Sequence, residues 1–293
     1  MLRRRSAVLL LLSFPGIFLL LNSCSSGPAP PKMGTPAWYW EAANEQFTAG
    51  DLAKTQEHLE RVVASDNPYK ARAAVWHLVM SSGMAMGYKE LAEAYDAGGE
   101  EVKDKASQAA EFRRLGNDAR RSAKQYCLAL AQELESFQKE NAGATEFALE
   151  FAFPQGSPGE DPALARVRKG MLPPESERTQ LERATVKRGV VLETASLVGA
   201  DGDPAKAADM FKTQPVKVPR AVFLYGLAES LFEESKIFDR KQLNEPDKKK
   251  ILYQLALDCL KPAFEAGDEG LKKKAKSLED KIAKEQKTLP KNV

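Results

Sequence analysis

The chain has 293 residues, with 43 Lys and Arg against 41 Asp and Glu and a formal net charge of +2. That balance lacks the basic footprint of a nucleic-acid binder, and three cysteines are too few for a disulfide framework. The length allows a sizeable core, built either as one elongated array or as two domains.

At the start, Arg3, Arg4 and Arg5 precede an apolar run from Ala7 to Leu21, followed by Leu21-Asn22-Ser23-Cys24. A charged segment, an apolar segment, small residues and a cysteine form the order of an export signal. The run is broken by Pro15-Gly16 and is shorter than the roughly 20 apolar residues of a membrane-spanning helix. The tetrapeptide resembles the bacterial lipobox, with Asn22 where a small or β-branched residue is usual. That resemblance implies cleavage before Cys24 and lipidation at Cys24, on its thiol and on the new amino terminus. A single acyl chain anchors a protein only reversibly, whereas several hold it lastingly. Ser25 behind the cysteine, in place of Asp, implies passage to the outer membrane in Gram-negative lipoproteins. Loss of residues 1–23 removes three arginines and no acid, which leaves the chain near neutral. Residues 24–37 are rich in Pro, Gly and Ser and read as a flexible tether, whose stretch from Ser25 to Pro36 reaches roughly 35 Å at about 3.1 Å per residue.

Residues 38–140 read as a first helical region. Tyr39/Trp40, Ala43 and Phe47 recur at helical spacing, Ala49-Gly50-Asp51 breaks the pattern, and Leu52, Thr55, Leu59, Val62 and Val63 form the inner side of a second helix. Asp66-Asn67-Pro68 stops it, so the pair is a helical hairpin. Val102 to Lys139 reads as one long helix with Ala119, Ala123, Tyr126/Cys127, Leu130, Leu134 and Phe137 on one face. Residues 141–176 hold five prolines and read as an irregular insertion. Residues 177–293 resume the helical period, with Glu177 to Val198 first and a Gly202-Asp203-Pro204 turn next. A break at Val216 to Pro219 follows, then helices over Ala221 to Phe232 and Lys249 to Ala266, and a lysine-rich cap from Leu271 to Lys287.

Gly202-Asp203-Pro204-Ala205-Lys206-Ala207-Ala208-Asp209-Met210-Phe211 resembles a tetratricopeptide (TPR) unit, a 34-residue helix-turn-helix. Ala207 stands at its small position, where one helix approaches the other, and Phe211 at its large one. The Gly50-Asp51 hairpin is similar, with Thr55 and Leu59 substituting, and Gly87-Tyr88 and Gly267-Asp268 fall close to one and two periods away. The resemblance implies an all-α fold, a TPR-like helical-hairpin array (α-solenoid) with one irregular insertion. It is a resemblance to a scaffold and carries no catalytic residues.

Candidate sites are few. His58 and His77 are the only histidines, and neither a zinc-protease nor a serine-hydrolase motif is present. Both read as helical surface positions. Glu233-Glu234 and Glu100-Glu101 read as solvated helix faces, because adjacent helical positions do not face each other. Cys127 and Cys259 lie among apolar helix positions, and separate buried thiols are the favoured reading. Phe147-Ala148-Leu149-Glu150-Phe151-Ala152-Phe153 alternates like a strand, although Phe147 and Phe151 also suit a helix. Its aromatics either pin the insertion to the core or make Phe147, Phe151 and Phe153 a lid over a groove, since long loops are often binding loops. The terminal lysines read as a solvated helix, with anionic lipid head groups as the alternative partner.

The expectation is an envelope lipoprotein, lipid-anchored and facing the periplasm, whose helical surface binds another envelope protein as a scaffold or assembly subunit. Neither enzyme activity nor any metal, cofactor or nucleic acid is expected. The alternative is a small-molecule-binding subunit, similar in organisation to the helical lipoproteins that partner TRAP-type solute transporters. A closed apolar pore would favour that alternative, and an open groove would favour protein binding.

Overall fold

The computed structural model describes residues 30–239 and 245–290, so Cys24 and the leader lie outside the described residues. The fold is all-α. Helices α1 (Pro36–Ala49) and α2 (Leu52–Val63) form the first hairpin, followed by the long α3 (Lys70–Glu101) and α4 (Ala106–Glu140). Strand β1 (Glu146–Leu149) and helix α5 (Pro162–Arg168) lie within the insertion. Helices α6 (Glu175–Leu197) and α7 (Pro204–Met210), strand β2 (Val216–Pro219), and helices α8 (Arg220–Ser235), α9 (Pro246–Ala266) and α10 (Glu269–Gln286) complete the order.

Local chemistry explains the hairpins. Gly50 closes α1 at φ 77°, where its N–H reaches the carbonyls of Gln46 and Phe47. That left-handed conformation suits glycine. Asp51 then starts α2 by accepting from the Lys54 N–H, as an N-cap residue does. The Gly202-Asp203 turn works the same way: Asp203 accepts from the N–H groups of Ala205 and Lys206, and Pro204 opens α7. Ala207 and Phe211 are buried while Ala205 is exposed.

Gly267-Asp268 likewise separates α9 from α10, where Asp268 accepts from the Leu271 N–H, but the hairpin likeness is local to such turns. Repeat arrays make contacts only between neighbouring units, whereas α3 packs against α2, α4, α5, α6, α8 and β1. From Ala73 to Ala85 every residue of α3 is buried, as befits a helix apolar or small all round. Gly87-Tyr88 is therefore no repeat turn but lies inside α3, where α6 crosses it. A Cβ on Gly189 would sit 2.3 Å from the Gly83 carbonyl oxygen and 2.5 Å from the Gly87 nitrogen. The three glycines let the two backbones touch, as small residues at a helix crossing do. The reading of Val102 to Lys139 as one helix is corrected too, because Val102 caps α3 and α4 begins at Ala106.

The insertion is tied down by its own pairing. β1 lies antiparallel to β2, with Phe147 opposite Val218 and Leu149 opposite Val216. The break expected at Val216 to Pro219 is thus the partner strand, joining the insertion to the entry of α8.

Candidate functional site

The aromatic segment divides by depth. Phe147 is buried between Phe137 and Phe223, at ring-centroid distances of 5.0 and 5.2 Å. Phe151 stacks on Trp76 at 5.1 Å with 7° between the planes, and meets Phe47 and Phe211 as well. Both are core residues, and Phe151 also borders the groove beside Phe153. Beyond β1 the chain turns outward, so only half-buried Phe153 reaches a surface, where it contacts Phe211 at 5.4 Å. Phe153, Phe211, Gln214 and Lys212 line an open groove of about 630 Å³. Gln214 Nε2 donates to the Phe151 carbonyl at 2.9 Å, which fixes the groove floor to the insertion.

Two buried polar clusters on α3 escaped the sequence reading. The first corrects His77, which is 7% exposed rather than on the surface. Its Nδ1 is hydrogen-bonded to Glu133 Oε2 from α4, and its Nε2 faces Glu60 Oε1 from α2 at 3.8 Å, an ion-pair distance too long for a hydrogen bond. Burial opposes the imidazolium charge, yet the two carboxylates win and raise the pKa to about 9. His58 is half-buried beside the rings of Trp38 and Tyr39.

The second cluster corrects the reading of Glu233-Glu234 as a solvated pair. Glu233 is exposed, but Glu234 points inward and is 3% exposed. A helix turns about 100° per residue, so neighbours in sequence can lie on opposite sides of a helix surface. Glu234 meets Glu193 of α6, which is wholly buried. Ser82 Oγ of α3 lies 2.8 Å from Glu193 Oε1 and 3.2 Å from Glu234 Oε1. Ser230 Oγ lies 2.7 and 2.8 Å from the two Glu193 oxygens. Burial raises both acids, Glu193 to about 7 despite its two hydroxyl partners, and Glu234 well above the usual carboxylate range. No periodicity marks these positions, and the only sequence trace is Glu within apolar stretches of α6 and α8.

Glu100 and Glu101 are exposed, in keeping with a solvated face. Cys127 and Cys259 are free, buried thiols as favoured, and burial raises both above the ordinary thiol range. On α10, Ala275, Leu278 and Ile282 are buried while Lys273, Lys281 and Lys284, and Lys287 that caps the helix, are exposed. Among the described residues no group of three or more His, Cys, Asp or Glu is placed to hold a metal ion, and no helix is long and apolar enough to cross a membrane. Compared with protein-family models, curated proteins and solved structures, the chain matches none.

Proposed function

We propose that the protein is an envelope lipoprotein, anchored through Cys24, whose helical body binds a segment of another envelope protein in the groove beside Phe153. The observation that supports this reading is the openness of that groove, whose aromatic wall of Phe153 and Phe211 is bordered by Lys212 and Gln214. An extended polypeptide fits such a surface, whereas small-molecule sites bury most of their ligand. The leader from Arg3 to Cys24 supports the address, and a tether of roughly 35 Å lets the body reach partners away from the lipid surface.

Two experiments test the reading. Cys24→Ser should abolish incorporation of labelled fatty acid and release the protein from membranes; retained label would place the anchor elsewhere. A photo-crosslinking amino acid at Phe153 should yield a protein adduct in intact cells, while the same group at Ser277 on the outer side of α10 should not. Equal adducts at both positions, or none at Phe153, would reject the groove.

A further inference from the structure

The cluster around Ser82 has a hydrogen-count problem that only a bound proton solves. A hydroxyl carries one hydrogen and an ionised carboxylate carries none. Ser82 Oγ nevertheless lies within hydrogen-bond distance of Glu193 Oε1 and Glu234 Oε1. With both acids ionised, one of those contacts would press two buried oxygens together without a hydrogen between them. One carboxyl must therefore donate.

The two acids differ in their remaining partners. Glu193 receives Ser230 as well as Ser82, so it has two hydroxyl donors for its charge. Glu234 has one hydroxyl, Ser82, and beside it only the thiol of Cys127, a weak donor. We propose that Glu234 is held as a neutral carboxylic acid that donates to Ser82 Oγ while Ser82 donates to Glu193, a chain joining α8, α3 and α6 only while that proton is present. When Glu193 is ionised, every contact in the chain has one hydrogen. When Glu193 is protonated too, it donates to Ser230, which turns its own hydrogen to the Gly226 carbonyl 3.2 Å away. Only the doubly ionised state leaves a contact unmade and sets two like charges against each other in the core.

The other groups facing the pair do not supply the missing charge. From α4, the Cys127 thiol hydrogen-bonds the Glu234 carboxyl as a weak, uncharged donor, its own ionisation opposed by burial and by that carboxyl. On α8, Glu229 adds a like charge to Glu193 and accepts from the Tyr225 hydroxyl. Lys89 on α3 opposes the rise of Glu234 only weakly, its Nζ being engaged at the rim with Glu93 at 3.7 Å and Glu233 at 4.0 Å. The raised titration of both acids agrees with the hydrogen count. The device is a proton-dependent lock at the junction of α3, α6 and α8.

Infrared spectroscopy of the full chain with isotope-labelled glutamate, at pH 8, reads the proton directly. A carboxylic-acid carbonyl band should be present in the wild type, in Glu193→Gln and in the exposed-site control Glu233→Gln, and lost in Glu234→Gln. Ser82→Ala should keep the band and shift it to higher frequency, because the acid O–H loses its acceptor, which carries the assignment even where Glu234→Gln folds poorly. A wild-type spectrum without the band overturns the proposal. So does a band that survives at full strength in Glu234→Gln or is unmoved in Ser82→Ala.

Discussion

The two polar clusters on α3 lie five residues apart and solve burial in opposite ways. His77 sits between carboxylates of α2 and α4, so opposite charges compensate each other and the imidazole is held protonated. Glu193 and Glu234 bring like charges together, and hydroxyls and a proton take the place of a counter-ion. Desolvation disfavours charge at both sites; the partner decides whether the charge survives. The first cluster is therefore sensitive to loss of its partner and the second to loss of its proton.

The contrast is broken most sharply by Glu133→Ala, which leaves His77 with only the distant Glu60, so that burial drives the imidazole to its neutral form. Removing one member of a buried pair costs about 3–5 kcal/mol, to be read by denaturant unfolding at pH 7. Glu234→Gln should stay within about 1 kcal/mol of wild type there, because an amide still donates toward Ser82. Equal losses in the two variants would show that the clusters do not differ in kind.

Titration separates them next. Glu193 has a folded pKa of about 7 against 4.5 unfolded, so the native state binds more protons and stability falls as pH rises from 4.5 through 7. The shift corresponds to about 3 kcal/mol. His77 is raised from 6.5 to about 9, and its contribution is present below pH 6.5 and lost as pH rises through 9. Glu193→Gln should flatten the melting profile in the lower window and His77→Gln in the upper one. Interchanged windows would refute the assignment.

Between the clusters, Gly189→Ala tests whether the α3–α6 crossing holds them in place. The added methyl meets backbone rather than a flexible side chain, and such overpacking costs about 1–3 kcal/mol. An unchanged unfolding midpoint would show that the helices part freely. The smallest effect belongs to Glu60→Gln. The Glu60 side chain is 60% exposed, so its ion pair is screened and should contribute under about 1 kcal/mol. A larger loss would mean that His77 depends on both carboxylates alike.

Much of the helix layout was legible because its signals are local. Gly50-Asp51, Asp66-Asn67-Pro68, Gly202-Asp203 and Gly267-Asp268 interrupt the helices where the sequence indicates, since capping and proline geometry act within a few residues. The apolar face of α4 was legible for the same reason, from Ala119 to Phe137. What a residue of α3, α6 or α8 touches depended on helices up to 152 positions away, as for Ser82 and Glu234. Gly87 fits a turn as well as a helix crossing, and Phe151 fits a lid as well as a core, until the neighbour that covers it is known. Sequence alone therefore determined the all-α character and most turns, through backbone chemistry that each segment carries with it. Tertiary structure alone decided which of Glu233 and Glu234 is buried, and which charges lose water, because desolvation is set by the surrounding elements and not by the residue itself.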